Sequence, residues 1–339
     1  MLKKLLQILL PLTLLTGCAV ENGMRIPQKI KIGISVYDRH DTFLSLLMDD
    51  FKSEISYLDN VSISISDAEN DQLKQNGQVK EMIHNGYDVI CVNLVDRTAP
   101  RKIIDMAKAS DIPIIFFNRE LVEEDMQIWA KLYYIGSDAK EAGEQEGQIV
   151  IDGCAKQNVD KNGDGFIQYV VLEGEAGHQD AVVRTEQSVA TILKAGIELD
   201  KLGAAIANWN RAEARTKTNQ LFHDFGSQIE LILSNNDDMA LGAIDALSSA
   251  PISKEEWPFI VGIDGTPDSL QAIKDGLLNG TVYNDAAGQA KAMAELSYRL
   301  ATGKGLGSLH LIADKYIRLP HEIVTQENVD SYMERCVSQ

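Results

Sequence analysis

The residues of this sequence that could do chemistry fall in short clusters, each directly after an apolar run. Tyr37, Asp38, Asp41 and Phe43 follow the first run, and Asn118 and Arg119 follow a later one. His178 and Asp180 close the stretch Gly174-Glu175-Ala176-Gly177-His178-Gln179-Asp180, with Arg184 four residues on. Trp209, Asn236, Asp264 and Asn284 each follow a further run. Carboxylate, carboxamide and guanidinium groups are planar and can bond two neighbouring hydroxyls at once. Flat aromatics such as Phe43 and Trp209 stack on apolar C–H faces of the kind a sugar ring presents. Any single Asn or Asp here is more readily explained as a loop residue or helix N-cap. Their recurrence after nearly every run is what points to a neutral, polyhydroxylated ligand, because Arg184 with Arg119 is too little positive charge for an anionic one. Asp180 and Arg184, four apart at a helix start, are expected to pair on one face and keep Asp180 ionised.

A second cluster has metal-ligand spacing. Asp160-Lys161-Asn162-Gly163-Asp164-Gly165-Phe166-Ile167-Gln168 matches the first nine positions of a calcium loop. Oxygen ligands fall at Asp160, Asn162, Asp164 and Gln168, Phe166 offers its backbone carbonyl, and Gly165 takes the sharp turn. The twelfth position, usually a bidentate Glu, is Val171, so a cation must find its last carboxylate elsewhere. The loop runs into a strand rather than a helix, which suits a structural metal and not a sensor.

These clusters need elements to hold them. Apolar, strand-like runs lie at 31–36, 61–66, 89–94 and 113–117, separated by helix-like stretches at 43–58, 71–85 and 100–110. The second half repeats the theme, with strands at 167–172, 203–207, 230–233 and 259–263 and helices at 140–152, 181–196, 212–225, 239–249 and 269–276. Continuous apolar strands have both sheet faces covered, and strand–helix alternation builds parallel βαβ units. The expected fold is α/β, with two doubly wound parallel-sheet lobes of similar size. Ligands of such sheets bind beyond the carboxyl ends of the strands, where the polar clusters stand.

Composition agrees. A chain of 339 residues accommodates two domains, and 45% hydrophobic with 24% charged residues describes a globular protein. A formal net charge of −18 leaves no basic face for nucleic acid. Lys3 and Lys4 precede an apolar run over 5–15 that is too short to span a bilayer and has a secretory layout. It ends in Leu15-Thr16-Gly17-Cys18, which resembles the bacterial lipobox, so Cys18 is expected to carry lipid and 19–28 to form a tether. Of the other cysteines, Cys91 reads as a buried small hydrophobe. With Cys154 and Cys336 it leaves an odd number and no Cys-x-x-Cys, hence neither a disulfide framework nor a zinc site.

Taken in order, these segments resemble the periplasmic galactose/glucose-binding protein family, within the type I periplasmic binding proteins of ABC transporters. The carriers include Ile34-Ser35-Val36-Tyr37 with Asp41 and Phe43, Asn70-Asp71-Gln72, Val92-Asn93-Leu94-Val95-Asp96, and Phe116-Phe117-Asn118-Arg119-Glu120. They continue with the Gly174 to Asp180 stretch and Arg184, Asn235-Asn236-Asp237, Gly262-Ile263-Asp264 and Gly280-Thr281-Val282-Tyr283-Asn284-Asp285. The resemblance covers the chain from Lys31 onward. It implies ring stacking on Phe43 and Trp209, and hydrogen bonds from Asp41, Asn118, His178, Asp180, Arg184, Asn236, Asp264 and Asn284. Asp41 matches the carboxylate that meets the sugar's 4-hydroxyl in either epimer, which implies that both glucose and galactose bind. It implies structural Ca2+ on Asp160, Asn162, Asp164, the Phe166 carbonyl and Gln168, with Glu230 as the remote carboxylate. Two departures are visible: Arg119 stands where the family has Lys, and Phe166 where Gln is common. The resemblance further implies three crossings between lobes, near Ser137, near Asn284 and at 317–320. That gives one lobe of 29–137 with 285–317 and another of 138–284 with 318–339, closing by a hinge motion. The implied partners are an ABC permease, a chemoreceptor or a sensor kinase, with the protein a monomer held to the membrane through Cys18; uptake and sensing stay undivided at this level.

Rival functions lack their motifs. There is no Gly-x-Ser-x-Gly elbow, no Gly-x-x-x-x-Gly-Lys phosphate loop and no His-Glu-x-x-His, so no enzyme site is indicated. A sugar-responsive repressor would carry a DNA-binding segment where this chain has its secretory one.

Overall fold

A computed structural model describes residues 29–337. The segment before Lys29, with Cys18 and its lipobox, lies outside the described residues. Within them the chain builds two six-stranded sheets. The first holds β1 (Ile30–Val36), β2 (Val61–Asp67), β3 (Val89–Val92), β4 (Ile114–Phe117), β5 (Leu132–Ser137) and, from far along the chain, β11 (Tyr316–Leu319). Its order is β11-β5-β4-β3-β1-β2, and every pairing is parallel. The second holds β6 (Phe166–Glu173), β7 (Glu198–Ile206), β8 (Leu231–Ser234), β9 (Phe259–Asp264), β10 (Gly280–Asn284) and β12 (His321–Val324). Its order is β12-β10-β9-β8-β6-β7, with β12 antiparallel to β10 and the rest parallel. The chain is thus a two-lobed α/β protein of doubly wound sheets.

The sequence pattern explains which strands go where. β3, β4, β8 and β9 are apolar and buried along their length, so they are central. β2 is half-buried throughout and β7 partly exposed, as befits edges. The helices are α1 (Thr42–Ser56), α2 (Gln72–His84), α3 (Arg101–Ala109), α4 (Glu123–Met126), α5 (Ala139–Lys156) and α6 (Gln179–Lys194). They continue with α7 (Arg211–Phe225), α8 (Asp237–Ser248), α9 (Pro267–Lys274), α10 (Ala286–Thr302) and α11 (Val329–Val337). In each lobe two apolar clusters sandwich the sheet, one per face. Cys91 is fully buried in the first lobe, and Cys91, Cys154 and Cys336 are free thiols. Among the described residues no helix is long and apolar enough to cross a membrane.

The chain passes between sheets three times: after β5 at Ser137, after β10 at Asn284, and between β11 and β12. The helix α10 packs on α1, within the first lobe. The third passage lies within the expected 317–320 segment, two residues past the 317/318 lobe boundary. Arg318 and Leu319 pair with Gly136 and Ser137 in the first sheet, so the passage falls at Pro320. Proline has no N–H to carry the ladder on, which ends the strand there. Strands β5, β11 and β12 are additions to the sequence reading.

Candidate functional site

A narrow cavity of about 40 Å³ opens between the lobes at the carboxyl ends of both sheets. Tyr37, Asp41, Phe43, Asn118 and Arg119 line it from the first lobe, and His178, Asp180, Arg184, Trp209, Asn236 and Asp264 from the second.

In the first lobe, Asp41 caps α1 with Oδ1, which accepts from the Leu44 N–H at 2.9 Å. Its Oδ2 accepts from the Tyr37 hydroxyl at 2.7 Å. Burial pushes the Asp41 carboxyl above the usual carboxylate range. Asn118 leaves β4 in the left-handed region (φ 61°), held by the Tyr134 hydroxyl on its carbonyl and by Asn93 Nδ2 on its Oδ1. Its own amide N–H groups are therefore the end left for a ligand.

In the second lobe, His178 caps α6: Nδ1 accepts from the Asp180 N–H at 3.2 Å. The ring proton must then sit on Nε2. Burial pulls the His178 pKa down to about 4, so the ring is a neutral donor near pH 7. Asn236 caps α8 through Oδ1, while its Nδ2 donates to the Trp209 carbonyl at 3.3 Å. Capping and site roles thus fall on the same residues, because a parallel strand's carboxyl end leads straight into the next helix's N-terminus.

Trp209 occupies the left-handed region (φ 61°), and its indole lies flat over Gly174, where a Cβ would come within 2.1 Å of the ring. His178 meets it edge-on, with ring centroids 5.2 Å apart. The expected Asp180–Arg184 pair is not formed. Arg184 is instead buried, stands over the Trp209 ring at 5.8 Å, and donates from Nη1 to the Asn235 carbonyl at 2.7 Å. The β8–α8 turn offers that carbonyl inside the lobe, whereas Asp180 faces the cleft.

Among the cleft atoms without a protein partner are those of two buried charged groups, Asp264 and Arg184. Asp264 is only 7% exposed and sits at φ 134°, a conformation an L-residue seldom adopts and one often found at functional sites. Its backbone is fixed from behind by Asp237, whose Oδ2 accepts from Gly265 and Thr266 N–H at 2.6 and 2.9 Å. The Asp264 carboxyl itself accepts no hydrogen bond from the described residues. Burial raises its pKa well above the usual range, and nearby Arg184 opposes that rise. Arg184 Nε is likewise buried and unpartnered. An unmet acceptor and an unmet donor in one cleft suit a ligand of hydroxyls, which can answer both.

Asn284 is not part of the lining. It lies at the second crossing, where its Oδ1 accepts from Gln289 Nε2 at 2.7 Å and Ser137 Oγ at 3.0 Å. The hinge has taken its carbonyl oxygen. Tyr37 and Arg119 join the lining instead. The Arg119 guanidinium stacks on the Tyr37 ring at 3.5 Å, donates to the Val95 carbonyl, and pairs across the cleft with Glu175 at 2.6 Å. Their positions directly after β1 and β4 were the signal for both.

The calcium-like loop wraps on itself at the other end of the second lobe. Asp160 accepts from Gly163 and Gly165 N–H, Asn162 from Asp164, and Asp164 from Phe166, each within 2.9 Å. Gly163 and Gly165 take positive φ. Buried Glu230 closes the loop, its carboxylate accepting from the N–H groups of Lys161, Asn162 and Gln168. The amides of Asn162 and Gln168 bridge the same side chains, Asn162 Nδ2 to Gln168 Oε1 and Gln168 Nε2 to Asp164 Oδ2. No three or more His, Cys, Asp and Glu form a metal cage among the described residues. A cation here would draw on the amide and carbonyl oxygens of Asn162, Gln168 and Phe166 as well as on carboxylates, which suits a hard cation such as calcium.

Comparison with known proteins follows the same lines. The profile of a family described as the periplasmic binding protein domain matches residues 32–305. A D-galactose/methyl-galactoside binding periplasmic protein of Haemophilus influenzae is 35% identical, covering 89% of this chain and 92% of its own. A putative rhizopine-binding protein of Rhizobium meliloti is 32% identical over 89% of this chain and 92% of its own. Among solved structures, an ABC transporter solute-binding protein of Bacillus halodurans with bound myo-inositol superposes with a TM-score of 0.78 at 30% identity, covering 91% of this chain and 98% of that one.

Proposed function

This chain belongs to the periplasmic binding protein family, and from that premise we propose that it captures D-galactose or D-glucose outside the cytoplasm and delivers it to an ABC sugar importer. The observation that carries this reading is the Asp264–Arg184 corner, where a buried carboxylate and a buried guanidinium nitrogen lack protein partners. Phe43 and Trp209 enter the cavity from opposite lobes, as a ring held between two flat apolar faces requires. Asp41, Asn118, His178, Asp180 and Asn236 supply a mixture of acceptors and donors around it. Because the two halves of this set lie on different lobes, the sugar gains contacts only when the lobes close, and it favours closure by that difference. The cleft performs no chemistry; its residues bind and orient.

The galactoside-binding relative supports a hexose, and the inositol-bound relative makes a cyclitol the natural competitor to test. Two attachments complete the proposal. Calcium sits in the loop of Asp160, Asn162, Asp164, Phe166, Gln168 and Glu230 as a structural ion, and the protein works as a monomer tethered by lipid on Cys18.

Thermal unfolding tests the reading. A millimolar hexose that binds only the folded protein raises its melting temperature by linkage. Galactose and glucose should do so, ribose and myo-inositol should not, and Trp209→Ala or Asp264→Ala should remove the shift while the ligand-free protein still unfolds cooperatively. A melting temperature indifferent to both hexoses would defeat the proposal.

A further inference from the structure

Thr42 is the first residue of α1 and Asp238 the second of α8, on opposite lobes. Thr42 Oγ1 donates to Asp238 Oδ2 at 2.6 Å, a direct bond across the gap between lobes. Neither residue lines the cavity, yet each is a near neighbour of one that does: Asp41 caps α1 and Asn236 caps α8. Bringing the lobes together therefore presses the first turns of these two helices against each other.

That contact needs a negative charge. Each helix N-terminus carries a partial positive charge, and two of them at close range repel. Beyond its cap Asp41, α1 has no acidic residue in its first turn, whereas α8 has Asp237 and Asp238. Asp237 is committed within its own lobe, to Gly265, Thr266, Ser269 and Thr281. Asp238 is the carboxylate that faces the other lobe, where it meets the Thr42 hydroxyl, with Asp41 and Asp237 of like charge and Arg211 of opposite charge around it.

We propose that Thr42 and Asp238 form a latch that sets sugar affinity by weighting the closed arrangement, without touching the sugar. The inference rests on the binding-protein reading above. The bond exists only with the lobes together, so it multiplies the closed-to-open ratio of the ligand-free protein by one factor, and the apparent affinity for every ligand follows the fraction closed. Away from the hinge, the direct cross-lobe bond from Arg119 to Glu175 starts at a cavity-lining residue, so a change there mixes closure with sugar contact. Thr42 is the cleaner handle.

The test compares wild type, Thr42→Val, which keeps the shape and removes the donor, and Thr42→Ser, which keeps the hydroxyl. Affinities for galactose and for glucose are measured by calorimetry, and the radius of gyration of the ligand-free proteins by small-angle scattering. The latch predicts that Thr42→Val weakens both sugars by the same factor, about tenfold. It also predicts a larger radius of gyration without ligand and restoration of both by Thr42→Ser. Loss for one epimer alone, or affinities within twofold of wild type, overturns it. Should neither hexose bind the wild type, the functional reading fails, and the scattering comparison still decides the latch: an unchanged radius of gyration in Thr42→Val rejects it.

Discussion

Gly174→Ala should cripple ligand binding although Gly174 has no side chain to contact a ligand. An alanine Cβ at this position would stand 2.1 Å from Trp209 Cζ2 and 2.3 Å from Cε2 and Cη2. Ordinary contact begins near 3.4 Å, so the indole must retreat by about 1.3 Å or tilt. Trp209 has little freedom to do so in place: its backbone is already in the left-handed region, its carbonyl accepts from Asn236, and His178 packs edge-on against the ring. A gap of 0.5–1 Å forfeits a quarter to a half of a dispersion well, and overpacking at a tight site typically costs about 1–3 kcal/mol. We therefore expect about 1–3 kcal/mol less binding free energy, or roughly 5- to 150-fold in Kd. Titration calorimetry reads the affinity, and unfolding of the ligand-free variant reads the fold. The turn tolerates alanine, since Gly174 is not among the positive-φ glycines, so the melting temperature should fall far less than the affinity. Wild-type affinity with an unchanged melting temperature would show that Trp209 does not pack against the ligand, and the stacking argument would fall.

Three further outcomes follow from the same geometry. Glu146 is fully buried on α5, bonded to the Ser188 hydroxyl, and burial raises its carboxyl to about 8 despite the opposing pull of Ser188 and Arg184. The folded protein then holds a proton that the unfolded chain releases near pH 4.3, so stability falls as pH rises from there to about 8, by at most about 1.4 kcal/mol per pH unit, and levels off above. Glu146→Gln should match wild type near pH 5 and melt higher at pH 8.5; parallel curves would contradict this. Chelation with EDTA should lower the melting temperature, by linkage worth about 2.7 kcal/mol at a hundredfold excess of calcium over its Kd, and Glu230→Gln should remove that sensitivity; a chelator without effect rejects the calcium loop. Cys18→Ser in the full chain should move the protein from the detergent phase to the aqueous phase on partitioning, whereas unchanged partitioning removes the lipid anchor.

The legible part of this protein is its periodicity. Central strands such as β3, β4, β8 and β9 are plain apolar runs, and the helix starts after β1, β6 and β8 are marked by the capping residues Asp41, His178 and Asn236, which double as cleft residues. What the sequence hides depends on tertiary pairing. β11 is four residues, Tyr316–Leu319, half-buried at a sheet edge, and only its register with β5 makes it a strand. Asn284 is of the right type at the right place, but Gln289 and Ser137 compete for its carboxamide oxygen. Arg184 is spaced to meet Asp180 along one helix, but a backbone carbonyl of the neighbouring turn, invisible to spacing rules, captures it. Arg119 and Tyr37 form their stack only because β1 and β4 bring their ends to the same rim.

Titration calorimetry of the mature protein with galactose, glucose, ribose and myo-inositol at two temperatures addresses the central claim directly. The account predicts one galactose or one glucose per chain, with a negative heat-capacity change from burying the ring between Phe43 and Trp209, and no heat from ribose or myo-inositol. Absence of heat with both hexoses, or equal binding of all four ligands, would contradict it.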